Sequence, residues 1–297
     1  IQILFRPLRQ LANKFNTMQM GMVAATRVFA VLDTESYIGN EGEKEIKDLK
    51  GHIEFRNVRF SYIKDEEILR GISLDVKAGQ TIAIVGSTGA GKSTIINLLS
   101  RFYEIDKGEI LLDGINIKDI TLESLRNEIA VVLQDVFLFA DSILNNITLG
   151  NPQISREEVI ASAKEIGVHD FIDSLPGGYD YNVKERGVML SSGQRQLISF
   201  LRAYVSKPSI LVLDEATSSV DTNSELLIQK ATEKITEGRT SIIIAHRLAT
   251  IKKADNIIVM EKGEIVEQGT HKELLTQENG YYRNLYEVQF AAEEEQI

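Results

Sequence analysis

Residues 81–98 have the sequence TIAIVGSTGAGKSTIINL. The first five residues form an apolar run rich in β-branched side chains, which is typical of a buried strand. Three glycines follow between positions 86 and 91, and glycine permits turn conformations that other residues avoid. After the last glycine, the apolar positions of STIINL favour a helix. This stretch therefore predicts a strand, a glycine-rich turn and a helix, in that order.

The glycine-rich turn matches G-x-x-x-x-G-K-[ST], the phosphate-binding loop. Its glycines let backbone N–H groups approach a triphosphate, and the N-terminus of the following helix favours an anion. Lys92 offers a positive charge to the β- and γ-phosphates, and Ser93 offers its hydroxyl to Mg²⁺. A dinucleotide fingerprint is excluded because the third glycine is missing at the required offset. The predicted ligands are ATP and Mg²⁺, and the candidate nucleotide contacts are Gly86, Ser87, Thr88, Gly89, Ala90, Gly91, Lys92, Ser93 and Thr94.

A phosphate-binding loop requires an acidic partner at the end of a neighbouring buried strand. The apolar run ILVL at 210–213 is followed by Asp214 and Glu215. Asp214 is predicted to hold the water shell of the magnesium ion. Glu215 is then placed to orient or deprotonate the attacking water.

The rest of the chain alternates predicted strands with predicted helices, which indicates an α/β domain with a parallel sheet. Apolar residues at three- and four-residue spacing predict a helix over 8–32, and a polar linker follows at 34–50. From position 51 onward, HIEFRNVRFSY alternates as a half-buried strand does. Residues 137–207 are mainly helical in pattern, with breaks at Asn151-Pro152 and Pro176-Gly177-Gly178. The predicted organisation is 1–50 as helix and linker, 51–290 as the main domain and 291–297 as a polar tail.

Composition narrows the possible classes of protein. The net charge of −10 argues against a general nucleic-acid binder, so no nucleic-acid partner is predicted. The chain contains no cysteine, which excludes disulfides, cysteine-ligated zinc and thiol catalysis. No run of 18 apolar residues is present, so we expect no transmembrane span and a soluble fragment.

The segment Leu190-Ser191-Ser192-Gly193-Gln194 is similar to LSGGQ, the signature of ABC transporters. With the phosphate-binding loop and the acidic strand end, the chain resembles the nucleotide-binding domain of an exporter of that family, from about residue 5 to 290. The resemblance implies a P-loop NTPase core with a parallel sheet, an N-terminal antiparallel β subdomain and a helical subdomain at about 137–207. Ser192 stands where the family usually has glycine, and we expect retained but altered activity.

Further site residues follow from the resemblance. Tyr62 is similar to the aromatic residue that stacks on adenine, although a tyrosine in a core strand is the alternative. Gln134 resembles the glutamine that contacts magnesium or the attacking water. Ser218–Asp221 resembles the segment that crosses to a partner subunit. His246, after the run SIIIA, resembles the histidine that hydrogen-bonds the γ-phosphate.

The resemblance also implies partners and a location. Two such domains pair, as a homodimer or heterodimer, and each ATP lies between the phosphate-binding loop of one subunit and Ser191–Gln194 of the other. Transmembrane domains dock through coupling helices onto the segment around Asp135–Ile147. Residues 1–50 look like the cytoplasmic end of the last transmembrane helix plus its linker, and Lys184–Gly187 is similar to the exporter-type loop ending in ERG. The implied location is the cytoplasmic face of the cell (inner) membrane.

Two other functions share part of this pattern. A soluble ABC ATPase acting on DNA or ribosomes also has the loop and the signature, but the N-terminal helix, the ERG tripeptide and the acidic charge disfavour it. A non-hydrolysing half of a heterodimer usually lacks the catalytic glutamate, and Glu215 is present here. The cargo is not specified by a motor domain.

Overall fold

The computed structural model describes residues 2–34, 38–40, 42–47, 49–214, 222–245 and 247–289. The chain divides into two units, Ile1–Gly39 and Asn40–Ile297. The predicted tail at 291–297 lies outside the described residues.

The first unit consists of the helix α1 (Gln2–Leu32). The predicted helix over 8–32 is confirmed, and the helix begins earlier, at Gln2. Every side chain described between positions 5 and 32 is exposed, including the apolar residues that produced the helical pattern. None of the helices in the described residues combines the length and the apolar character that a membrane crossing requires.

The second unit contains ten strands and the remaining helices of the described residues. The strands are β1 (Ile53–Ile63), β2 (Glu66–Val76), β3 (Thr81–Gly86), β4 (Lys107–Leu112), β5 (Ile115–Asn116), β6 (Ile129–Val132), β7 (Ile210–Asp214), β8 (Thr240–Ile244), β9 (Asn256–Glu261) and β10 (Glu264–Gly269). The helices are α2 (Lys92–Leu99), α3 (Leu122–Glu128), α4 (Ile143–Thr148), α5 (Arg156–Glu165), α6 (His169–Asp173), α7 (Ser192–Val205), α8 (Thr222–Thr236), α9 (Leu248–Lys253), α10 (His271–Leu275) and α11 (Tyr281–Gln289). Short 3-10 turns lie at Ile117–Asp119, Gly178–Asp180 and Glu185–Gly187.

A six-stranded sheet forms the centre of this unit, in the order β10-β9-β3-β8-β7-β6. The strands β9, β3, β8, β7 and β6 are parallel to their neighbours, and β10 is antiparallel to β9. The continuous apolar runs of β3, β7 and β8 are buried, as expected for strands covered on both faces. The predicted α/β class with a parallel sheet is confirmed.

A second sheet of four antiparallel strands has the order β2-β1-β4-β5. In β1, the side chains of Ile53, Phe55, Val58 and Phe60 are buried, and the register shifts after Phe55. A β-bulge adds one residue to one strand, so that the apolar side chains before the bulge and those after it face the core. The antiparallel β subdomain implied by the resemblance is therefore present.

The region 137–207 is mainly helical, with α4, α5, α6 and α7 separated by loops. The predicted breaks at Asn151-Pro152 and Pro176–Gly178 lie between helices. Serine side chains at positions 142, 155 and 191 cap α4, α5 and α7, and each accepts a hydrogen bond from a backbone N–H in the first turn.

The second unit begins at Asn40, whereas the predicted main domain begins at Gly51. Ile46 explains the difference, because its side chain is buried in a hydrophobic cluster that joins the four-stranded sheet to the six-stranded sheet. Its backbone N–H donates to Ser124 Oγ at 2.8 Å, and its carbonyl accepts from the same hydroxyl at 2.9 Å. One apolar residue within a polar stretch is a weak sequence signal, so this contact was not foreseen.

Candidate nucleotide site

The glycine-rich turn connects β3 to α2, as predicted, and packing fixes its shape at both ends. A Cβ added at Gly86 would lie 2.1 Å from the carbonyl oxygen of Met260, which is backbone and has little freedom to move. A Cβ added at Gly91 would lie 2.7 Å from Leu69 Cδ2. Both glycines also have positive φ, at 147° and 98°. The turn is therefore held against the backbone of β9 at Gly86 and against the Leu69 side chain of β2 at Gly91.

Lys92 is the first residue of α2, and its side chain is only 9% exposed. The amine Nζ donates to the carbonyl oxygens of Gly86 at 2.8 Å and Ser87 at 2.9 Å. Burial lowers the pKa of Lys92, and the charge of Asp214 opposes that shift. These two hydrogen bonds place the lysine cation within the turn itself.

Ser93 and Asp214 face each other across the gap between α2 and the end of β7. Ser93 Oγ donates to Asp214 Oδ2 at 3.4 Å, so the two oxygens are near the limit of a hydrogen bond. Clusters of three or more histidine, aspartate or glutamate side chains are absent from the part of the chain that the structure describes. Among the described residues, the hydroxyl of Ser93 and the carboxylate of Asp214 are the oxygen donors that face each other here, and a metal ion held by them would keep water in its shell. This oxygen donor set fits Mg²⁺, which keeps most of its waters.

Tyr62 lies near the end of β1 with its side chain 45% exposed, which does not fit the alternative of a tyrosine within the core. Its hydroxyl accepts from Asn97 Nδ2 at 3.0 Å and donates to Thr94 Oγ1 at 3.3 Å. Its ring makes T-shaped contacts with Phe60 at 4.7 Å and Tyr103 at 4.9 Å between centroids. These contacts orient the ring beside α2 and leave part of it accessible to a flat ligand.

Gln134 lies in an exposed loop two residues after β6. Strands β6 and β7 are parallel neighbours in which Val132 pairs with Leu213. Gln134 and Asp214 therefore follow adjacent strands at the same edge of the sheet. The edge at the carboxyl ends of parallel strands is where ligands bind in open α/β sheets.

Three predicted site residues, Glu215, Asp221 and His246, lie outside the described residues. The strands that precede Glu215 and His246 are described, and they are adjacent in the sheet. Asp214, at the end of β7, pairs with Ile244 at the end of β8.

The signature segment forms the N-terminus of α7. Ser191 Oγ accepts from the backbone N–H of Gln194 at 3.2 Å, and Gln194 Oε1 accepts from the backbone N–H of Ser191 at 3.0 Å. This reciprocal pair is a capping box. Ser191 and Ser192 are exposed and Gly193 is buried. The exposed N-terminus of a helix favours an anion.

Sequence reasoning did not identify the residues that support the glycine-rich turn from the β9–β10 hairpin. Ser87 Oγ donates to Glu261 Oε2 at 2.8 Å, and the backbone N–H of Gly263 donates to the carbonyl of Ala90 at 3.1 Å. The hairpin thus contacts both halves of the turn. These residues are separated by more than 170 positions, and no local pattern marks them.

Comparisons with known proteins agree with this architecture. Residues 69–218 match the ABC transporter family. The chain is 47% identical over 289 residues to the ATP-dependent lipid A-core flippase of Escherichia coli (strain K12), covering 97% of this chain and 49% of that protein. It is 47% identical over 277 residues to the fatty acid ABC transporter ATP-binding/permease protein of Mycobacterium tuberculosis (strain CDC 1551 / Oshkosh), covering 93% of this chain and 44% of that protein.

Among solved structures, the chain is similar to a bacterial Atm1-family ABC exporter with ATP bound, with a TM-score of 0.82 and 42% identity. That similarity covers 98% of this chain and 51% of the exporter. The chain spans about half the length of the curated relatives it matches. The family match includes both the glycine-rich turn and the helix that begins at the signature, and the chain therefore belongs to the ABC transporter family.

Proposed function

We propose that this chain is the ATP-binding and ATP-hydrolysing motor domain of an ABC exporter. The observation that carries the proposal is the position of Lys92, whose amine is bonded to the carbonyls of Gly86 and Ser87. Beside it, Ser93 and Asp214 supply a hydroxyl and a carboxylate 3.4 Å apart. A buried cation next to a pair of hard oxygen ligands suits a triphosphate with magnesium.

The nucleotide lies along the start of α2. Adenine stacks on Tyr62, and the phosphates accept hydrogen bonds from backbone N–H groups of residues 86–94 and from Lys92. Each of these contacts positions the nucleotide or compensates its charge. Positioning and charge stabilisation are the main requirements of phosphoryl transfer.

Ser93, Asp214 and Gln134 are the candidate magnesium ligands, directly or through water. The ion, when bound, neutralises charge on the phosphates. Glu215 orients the attacking water and accepts its proton, and His246 donates a hydrogen bond to the γ-phosphate. The water oxygen bonds to the γ-phosphorus while the bond to the bridging oxygen breaks, which yields ADP and phosphate.

A second motor domain completes each site. The exposed N-terminus of α7 supports this proposal, because Ser191–Gln194 offers an anion-binding surface. ATP then lies between the phosphate-binding loop of one subunit and the signature of the other, and Asp221 crosses to the partner. The dimer is a homodimer or a heterodimer, and hydrolysis removes the γ-phosphate that joins its halves.

The membrane-spanning domains of the same transporter are the proposed second partner. The relatives named above include an ATP-binding/permease protein and a flippase, and the chain covers about half of each. We place the motor domain on the cytoplasmic face of the cell membrane, where the coupling helices contact the segment around Asp135–Ile147. The cargo depends on the membrane domain, so the motor domain assigns none.

The test is ATP hydrolysis and dimerisation of a Glu215→Gln variant in Mg²⁺. The amide keeps the shape of the side chain but cannot accept a proton, so ATP binding continues while hydrolysis falls to background. The γ-phosphate then persists, and size-exclusion chromatography shows an ATP-dependent dimer. The matched control is Glu237→Gln, an exposed glutamate on the surface, which keeps wild-type turnover. Wild-type turnover in Glu215→Gln contradicts the role of Glu215.

A further inference from the structure

Two aromatic side chains are exposed in the loop between β6 and α4. Phe137 is 54% exposed and Phe139 is 55% exposed, and their rings meet edge to face with centroids 5.1 Å apart. The two residues are called the aromatic pair below. They lie within the segment proposed above to contact the membrane domain.

The side chain of Asn146, in α4, holds the backbone of this loop. It is fully buried. Its Oδ1 accepts from the N–H of Phe139 at 2.8 Å, and its Nδ2 donates to the carbonyls of Phe139 and Ser142, both at 3.0 Å. A buried amide whose hydrogen bonds are satisfied fixes one backbone arrangement, because losing a partner in a low-dielectric interior is costly.

Arg202, on α7, joins the same loop to the signature helix. Its Nε donates to the carbonyl of Asn146 at 2.8 Å, and its Nη2 donates to the carbonyl of Phe137 at 3.4 Å. Burial lowers the pKa of Arg202, and both of these hydrogen bonds go to backbone oxygens. A planar guanidinium can bridge two fixed carbonyls in a way that a lysine ammonium cannot.

The loop contacts α7 at a second place, near the signature. Leu138, between the two aromatic residues, is fully buried. A Cβ added at Gly187 would lie 2.9 Å from Leu138 Cδ1 and 3.1 Å from Arg195 Cδ, so both side chains lie beside Gly187. Leu138 also belongs to the same hydrophobic cluster as Leu197 of α7. Arg195 lies in the first turn of α7 and also donates to the carbonyl of Leu190 at 2.8 Å.

We propose that Asn146 and Arg202 are positioning residues that fix the aromatic pair to α7. A membrane domain seated on the pair then determines where Ser191–Gly193 lies relative to the nucleotide of the partner subunit. Helix α7 has 14 residues and moves as one body, since an α-helix of this length is about 21 Å of continuous hydrogen-bonded backbone. This inference rests on the proposed function, because it requires both the membrane partner and the shared ATP site.

The test uses the full-length exporter in lipid nanodiscs and the variants Arg202→Lys, Phe139→Ala and their double mutant. Each single variant is expected to lower kcat for ATP about threefold or more and to leave KM for ATP within about twofold of wild type. The double mutant is expected to be no slower than the slower single variant, because both changes break the same connection. A multiplicative fall in the double mutant, or an unchanged kcat in either single variant, overturns the proposal.

Two matched controls separate this role from general packing. Arg156→Lys breaks a bidentate ion pair with Asp180 in the same helical region, and Tyr281→Ala removes a ring that is 54% exposed elsewhere. Both controls are expected to keep the wild-type kcat. A fall in either control equal to that in the test variants overturns the assignment.

If Arg202→Lys fails to fold, a second measurement tests the proposal without a substitution at Arg202. Hydrogen exchange in the full-length exporter is compared between wild type and Phe139→Ala for amides in the first turn of α7. Faster exchange at Ser191–Arg195 in the variant supports the proposal, and wild-type exchange there overturns it. Absence of Mg²⁺-dependent hydrolysis in the wild-type exporter is a different result, since it contradicts the proposed function itself.

Discussion

Helices α2 and α7 both begin at a segment proposed to contact phosphate, and different contacts hold their N-termini. The N-cap of α2 is Gly91, in a left-handed conformation and without a side-chain cap. Its preceding turn is supported by Glu261 and Gly263, which are distant in sequence. In contrast, α7 is capped by Ser191 and Gln194, three residues apart.

The difference indicates how the proposed site is divided between subunits. The turn before α2 is enclosed by strands of its own chain, and its lysine is buried within it. The start of α7 is capped by local hydrogen bonds, and its first residues, Ser191 and Ser192, are exposed. An exposed and locally capped helix N-terminus can contact a ligand carried on another surface, and this supports the proposal of a shared site.

The largest expected effect is the loss of nucleotide binding in Lys92→Ala. Removing the only side-chain cation bonded to the turn carbonyls among the described residues leaves the phosphate charge poorly compensated, and affinity for ATP should fall by on the order of 100-fold. Lys77→Ala, at an exposed turn, is the control and should bind normally. Fluorescence titration with a nucleotide analogue gives the dissociation constants of both variants. Unchanged affinity in Lys92→Ala contradicts the assignment of the loop.

A comparison of Gly86→Ala with Gly89→Ala tests whether packing against β9 supports the same turn. Both glycines have positive φ, but only the Cβ at position 86 meets backbone, at 2.1 Å, while that at position 89 meets nothing within 4 Å. We expect Gly86→Ala to lower the free energy of unfolding by about 3 kcal/mol and Gly89→Ala by about 1 kcal/mol. Urea denaturation measures both, and equal losses would show that packing against β9 does not determine the turn.

Ser191→Ala tests the local support of α7, with Ser155→Ala as its match. Ser155 caps α5 through the same type of bond, from the N–H of Glu158 at 3.1 Å. Each change should reduce stability by about 1 kcal/mol. Only Ser191→Ala should also lower ATP turnover of the dimer, by about tenfold, with the affinity of the monomer for nucleotide unchanged. Equal turnover in the two variants contradicts the role of the signature.

The smallest expected effect is a change in ATP affinity in Glu261→Gln, a substitution in the hairpin that supports the turn. The amide oxygen can still accept from Ser87 Oγ, while one negative charge beside the phosphates is removed. ATP should therefore bind about twofold more tightly at low ionic strength, and the gain should disappear at high salt. Glu264→Gln, an exposed glutamate on β10, is the control. Weaker binding in Glu261→Gln indicates that the carboxylate itself is required.

Much of the fold was predictable because its signals are local. The apolar runs at 81–85 and 210–213 predicted buried strands, and β3 and β7 are buried in the structure. The sheet order was not predictable from these runs. Strand β3 lies between β8 and β9, and strands separated by more than 150 residues carry no pairing signal of their own.

The residues of the candidate site also fall into two groups, those that the sequence predicted and those that it did not. Lys92, Ser93 and Asp214 were predicted because a triphosphate with magnesium requires those residue types at the ends of buried strands, and in the structure Ser93 Oγ lies 3.4 Å from Asp214 Oδ2. Glu261, Asn97 and Arg202 were missed. Each acts through a hydrogen bond to a residue more than 30 positions away, so a single sequence offers no spacing to recognise.

The sequence by itself determined the strands and helices beside the glycine-rich turn and the residues within it. The motif G-x-x-x-x-G-K-[ST] and the capping box S-x-x-Q are short-range patterns, and each has a physical cause. Only the tertiary structure decided that the β9–β10 hairpin supports the turn and that Arg202 connects α7 to the aromatic pair. Those contacts depend on how strands and helices pack after the chain has closed its long loops, and backbone carbonyls accept hydrogen bonds without regard to residue type. The partners of such bonds are therefore fixed by geometry, and a sequence pattern does not specify them.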